Sequence, residues 1–139
     1  MLTRVLFALV VTVGLAATAS AQDVKVLALG VTDHEVTQEE AEKGATLPVP
    51  RFNTPAIAYV LAADLKKGDT VEVALFNEDK SLLHNTQTLG EDQAKLLLQA
   101  GKRGVPAGGW SEGSYSAKVT ITRDGKTLIE QSSKPVPFD

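Results

Sequence analysis

From residue 24 onward, apolar residues recur at every second position in short runs broken by turn residues, the pattern of half-buried strands. Val24 to Val31, rich in Val and Leu and carrying Gly30 near its end, predicts a first strand. Ala56 to Ala63 alternates a bulky set, Ile57, Tyr59 and Leu61, with a small set, Ala56, Ala58, Val60 and Ala62. Val71, Val73 and Leu75 alternate with Thr70, Glu72 and Ala74, which gives that strand an inside and an outside, and Phe76 falls on the outer side, where a loop is expected to cover it. Asn77-Glu78-Asp79-Lys80 has turn chemistry, and the more polar stretch Ser81–Leu89 reads as a strand at a sheet edge. Tyr115, Ala117, Val119 and Ile121 form the clearest apolar face, opposite Ser114, Ser116, Lys118, Thr120 and Thr122. The Asp124-Gly125 pair that follows is a preferred two-residue hairpin turn, because both central positions need positive φ. Pairing Arg123 with Lys126 across it places Ile121 opposite Leu128.

Two segments depart from the alternation. Thr37 to Gly44 has Thr37 as an N-cap with Glu40 three residues on, a capping box that predicts one or two helical turns without an apolar stripe. Residues 91–100 fit either a short helix or a buried strand around Leu96-Leu97-Leu98, since so short an apolar run does not settle its own period. The first 21 residues follow neither pattern. Arg4 precedes an apolar stretch from Val5 to Ala17, and Ala19-Ser20-Ala21 closes it with small residues at both positions of a cleavage pattern. That stretch is about 13 residues long, against the roughly 20 of a spanning helix, so a secretory signal peptide over 1–21 is expected and no membrane span.

Removing 21 of 139 residues leaves a 118-residue domain, 22–139, and losing Arg4 takes the formal net charge from −3 to −4. A chain of that length buries roughly two thirds of its unfolded surface and can hold one core. It has no cysteine, so thiol chemistry, disulfides and cysteine metal sites are excluded in a compartment that would permit disulfides. Mild acidity with scattered basic residues argues against a nucleic-acid partner.

The segment Gly108-Gly109-Trp110-Ser111-Glu112-Gly113-Ser114-Tyr115-Ser116-Ala117 resembles the penultimate-strand region of immunoglobulin-like domains, and with Arg123-Asp124-Gly125-Lys126 it is similar to cysteine-free modules of exported bacterial proteins. The resemblance spans about residues 108–131. It implies a tyrosine corner at Tyr115 and a core position at Ala117, where antibody domains carry Cys. Trp110, Gly113, Tyr115, Ala117, Asp124 and Gly125 are therefore expected to be structural. The fold expected is an all-β, immunoglobulin-like antiparallel β-sandwich of about seven strands.

Catalytic motifs are thin. There is no G-x-S-x-G elbow, Ser81 and His84 lie three apart on a strand and face opposite ways, and the glycines of 101–109 lack a phosphate-loop ending. The stretch from Asn77 opens like a calcium loop but has Leu82 where Gly is required and Thr88 where Glu is required. His34, between Asp33 and Glu35, and His84 are the candidate metal ligands, without a short His-His spacing or the soft ligands of secreted copper carriers. The expectation is thus a non-catalytic binding or accessory module without a cofactor, periplasmic or secreted, that recognises a protein partner. It would do so through the Ser81–Leu89 edge or through the loop carrying Lys102, Arg103, Val105 and Trp110. An exported metal- or small-ligand-binding protein using His34 and His84, and a secreted enzyme inhibitor, are the alternatives.

Overall fold

A computed structural model describes residues 24–43, 47–102 and 104–138. The expected signal peptide, 1–21, and Arg103 lie outside the described residues. Among the described residues the strands are β1 (Lys25–Thr32), β2 (Ala56–Leu65), β3 (Thr70–Asn77), β4 (Lys80–Thr88), β5 (Gln93–Lys102), β6 (Ser114–Arg123), β7 (Lys126–Ser132) and β8 (Val136–Pro137), with one helix, α1, at Gln38–Lys43. All pairings are antiparallel. One sheet has the order β1-β2-β5, the other β4-β3-β6-β7 with β8 also on β6. This is the two-sheet arrangement of an immunoglobulin-like sandwich, with the fourth strand added beside the third. The 91–100 ambiguity resolves as strand β5, whose Leu96 and Leu98 enter the core.

The core lies between the sheets. Tyr115, Ala117, Val119 and Ile121 of β6 and Val71, Val73 and Leu75 of β3 are fully buried, as their alternation requires. Facing them from β2 is the small set, Ala56, Ala58, Val60 and Ala62, which belongs to the same core. Small side chains opposite large ones let the two sheets close without voids. The bulky set of β2 points outward instead, and Leu61 and Tyr59 join Val36, Ala41 and Leu47 in a second cluster outside the β1-β2-β5 sheet.

That outer cluster explains α1. Thr37 and Glu40 form the full capping box: Thr37 N–H donates to Glu40 Oε1 (3.0 Å) and Glu40 N–H to Thr37 Oγ1 (3.2 Å). The Gln99 side chain then clips the entry to the helix, accepting from Val36 N–H (2.7 Å) and donating to Val36 O (3.0 Å). A six-residue helix is marginal alone; here caps and one buried side, Ala41, hold it.

Two local expectations need correction. Arg123 does pair with Lys126 across Asp124 and Gly125, both at positive φ (53° and 79°), but Ile121 pairs with Ile129. The extra residue between Ile121 and Thr122 on the partner side is Leu128, a bulge that shifts the register by one. Phe76 does lie outside, but what covers it is the Lys118 ammonium, 5.7 Å from the ring centroid, rather than a loop.

Candidate binding cleft beside the edge strand

Three connections meet at one pole of the sandwich: residues 47–55 before β2, the β3–β4 hairpin, and the loop from β5 to β6. The last crosses between the sheets and turns at Pro106, whose carbonyl accepts Gly109 N–H (2.8 Å). Trp110 then fastens it. Its backbone N–H donates to Phe52 O and its indole N–H to Thr54 O, both at 2.8 Å. The indole meets Tyr115 and Phe138 edge-on, each with centroids 6.1 Å apart, while Tyr115 and Phe138 stack at 3.7 Å. Such a cluster is stiff, because each ring is held by the others and the indole also by a hydrogen bond.

Tyr115, expected from the resemblance as a tyrosine corner, lies at the start of β6. Its hydroxyl donates to Ser111 O, four residues upstream, at 2.5 Å, and accepts from Asn77 Nδ2 at 3.4 Å. Burial pushes the phenol above its ordinary range, so it stays protonated and serves as the donor at neutral pH. Gly113 makes the approach possible: at φ 135° it takes a conformation unfavourable to other residues, and a Cβ there would collide with Asn77 Oδ1.

Opposite Trp110 stands β4, the edge of its sheet. Leu75 pairs with Leu83 and Phe76 with Ser81, so Leu82 is an extra, bulged residue. A regular strand sends neighbours to opposite faces; here Leu82 and Leu83 both line a cleft of about 280 Å³. Pro106 and Trp110 form its other apolar wall, and Asn77, Lys80 and Ser111 bring polar atoms to it. Lys80 has no ion-pair partner and the Ser111 hydroxyl no hydrogen-bond partner among the described residues. No carboxylate lines the cleft. The arrangement offers an apolar slot with solvent-exposed donors at its mouth, and among the described residues no side-chain base contacts the Ser111 hydroxyl.

Of the residues expected to bind, Trp110 forms a wall and Val105, 38% exposed, stands on the same loop. The Lys102 backbone ends β5 opposite Ala56. The expected structural residues sit as follows. Ala117 is fully buried, and Asp124 and Gly125 make the hairpin turn. Leu82 and Leu83 fall on the Ser81–Leu89 edge that was expected to bind, without having been singled out, and Asn77 and Ser111 were unforeseen. The signal for the leucines was present, since two adjacent apolar residues in a polar strand break the alternation in the way a bulge does.

The two histidines do not meet. His34 follows β1, its ring nitrogens 2.9 Å from Asp33 Oδ1 and 2.9 Å from Glu40 Oε2. Those hydrogen bonds, to Asp33 first and Glu40 second, raise its pKa above the ordinary histidine value. His84 sits on the other sheet's outer face, beside Glu72, Phe76 and Lys118 in a shallow hollow of about 120 Å³. Among the described residues no three His, Asp or Glu side chains are placed to hold a metal ion, and no helix is long and apolar enough to cross a membrane.

At the far pole, the turn between β2 and β3 carries Asp69. Asp69 is fully buried and receives Arg123 Nε and a terminal guanidinium nitrogen, both at 2.8 Å, and Lys66 N–H at 2.9 Å. The Arg123 bonds hold its carboxyl below the usual range despite burial. The Asp69 backbone also accepts from Leu89 N–H (2.9 Å), so one residue joins three connections. No protein-family model matches the chain, and no curated protein matches its sequence.

Proposed function

We propose that the chain is an exported, non-catalytic binding or accessory module of the bacterial cell envelope, periplasmic or secreted, that recognises a protein partner at the Trp110 pole. The observation that carries this reading is the cleft between β4 and the loop before β6: an apolar slot with exposed donors that have no protein partner among the described residues, open beside an edge strand. Ligand sites have this composition, apolar lining with a few placed polar groups. Exposed Phe52, Val49 and Val105 extend apolar surface on the neighbouring connections. The free edge of β4 adds backbone groups that a partner segment can pair with.

Deleting residues 103–108 is expected to abolish capture of partners from the native envelope fraction while leaving thermal unfolding cooperative. A folded deletion variant that captures the same proteins as the parent would remove the loop from the account. A second reading, a small-ligand carrier, would need a compact ligand, because the cleft's volume of about 280 Å³ lies just below the ~300–1,000 Å³ of small-molecule sites; it would act through the cleft and not through His34 and His84.

A further inference from the structure

We propose that the cleft beside β4 takes the C-terminal residue of the protein partner, with an apolar side chain between Leu82, Leu83 and Trp110 and its terminal carboxylate on Lys80 and Ser111. The inference rests on the reading of the cleft as a binding site and names what enters it.

Volume sets the size of the occupant. At about 280 Å³ the cleft is smaller than a typical drug-sized site and holds one ring or one branched chain. Its walls set the polarity. Leu82, Leu83, Pro106 and Trp110 favour an apolar group, and burying a single such side chain is the ordinary way a pocket anchors a peptide. Its donors set the charge. The Lys80 ammonium and the Ser111 hydroxyl are unpartnered among the described residues, whereas the acids of this pole, Glu78, Asp79 and Glu112, are exposed and outside the lining. An ammonium and a hydroxyl without a facing carboxylate complement an anion with several acceptor lone pairs, and ionised hydrogen bonds are the strong ones.

Position favours a peptide terminus over a free small acid. β4 is the last strand of its sheet, so its outer backbone groups are unpaired beside the cleft. Farther along, Asn85 Nδ2 donates to Gln99 O at 2.9 Å and ties β4 to β5. The open stretch therefore runs from Lys80 to His84, the same stretch whose bulge turns both leucines inward. A chain end fits there: the final side chain enters, the carboxylate stops at Lys80, and the residues before it leave along the edge.

Trp110 is the chain's single tryptophan and a wall of the cleft, so its fluorescence reports occupancy. The protein, expressed from its full coding sequence, is titrated with pentapeptides ending in Leu, Phe or Gly, each as free acid and as C-terminal amide. 3-Phenylpropionate and 4-methylpentanoate serve as free small acids, and isothermal calorimetry is run in parallel. Free-acid peptides ending in Leu or Phe are expected to give a saturable change. Amidation, the change to terminal Gly, and Lys80→Met should each weaken binding by about tenfold or more, the size of losing one charge-assisted bond or one buried side chain. Equal binding of acid and amide would overturn the carboxylate assignment and leave the cleft reading standing. Small acids binding as tightly as the peptides would overturn the peptide as their source. No response to any probe by fluorescence or heat would overturn the proposal, and Leu82→Asp leaving peptide binding intact would overturn the cleft reading with it.

Discussion

Replacing Tyr115 by Phe removes one oxygen from a side chain that is fully buried and whose ring is fixed on both sides. The stacking on Phe138 and the edge contact with Trp110 are retained, so the loss is confined to the hydroxyl. That oxygen makes two hydrogen bonds, a short one to Ser111 O and a long one from Asn77 Nδ2. A net intramolecular hydrogen bond contributes about 0.5–1.5 kcal/mol, and a buried partner left unsatisfied adds roughly 1–3 more. Ser111 is exposed and Asn77 also reaches Glu112 O, so water and that second acceptor recover part of the penalty. The expected cost is therefore about 1–2 kcal/mol, a sizeable share of the roughly 5–15 kcal/mol of a whole domain. In thermal unfolding it should lower Tm by about 4–10 °C. Tyr59→Phe is the control: the Tyr59 hydroxyl makes no hydrogen bond among the described residues, and the change should stay within about 0.5 kcal/mol. Equal stability of Tyr115→Phe and the parent in urea and heat would mean that the corner contributes nothing and that the loop before β6 is held by Trp110 alone.

Asp69→Asn leaves the Arg123 guanidinium without its carboxylate; because Arg123 is 22% exposed and reaches water, the cost should fall near about 3 kcal/mol, the lower end for a broken buried pair. Since Asp69 has a lowered pKa in the folded chain, its contribution is present above the ordinary carboxylate range and is lost as pH falls, so an acid titration of unfolding should be flatter in the variant. His34 runs the other way: its raised pKa makes its contribution complete below about 6.5 and lost as pH rises through the folded value. At 39% exposure the effect is at most about 1 kcal/mol, so Tm should be slightly higher at pH 6 than at pH 8.5, and His34→Gln should erase that part of the difference. Gln99→Ala removes both bonds to Val36 and should speed amide exchange in α1 while the sheet amides keep their protection.

The sandwich was legible because its strands alternate cleanly and its turns carry their own chemistry. β6 shows this best: four buried residues at every second position, then Asp-Gly at positive φ. The capping box at Thr37 was equally local and equally readable. What the residues did not announce depended on partners far along the chain. Nothing in Ala56 to Ala63 tells which face meets the other sheet; that follows from the large residues of β3 and β6 opposite and from Val36 and Ala41 arriving outside. Asp69 reads as a turn residue until Arg123, 54 positions away, closes on it. The bulges at Leu82 and Leu128 each insert one residue, and one residue is enough to exchange the faces of a strand. The cleft inherits this. Trp110 was a candidate from sequence, but its opposite wall exists only because Leu82 is bulged.

The central claim is that a partner sits against β4 and the Trp110 loop. Photocrosslinking tests it most directly, with a benzophenone amino acid placed in turn at Ser81, Val105 and Thr127 in cells expressing the protein. All three positions are exposed, Ser81 lies on β4, and Thr127 lies on β7 at the opposite edge of the same sheet. The account predicts the same discrete adduct from positions 81 and 105 and none of that mass from 127. An adduct formed from 127 and absent at 81 and 105 would place the partner on the other edge and contradict it.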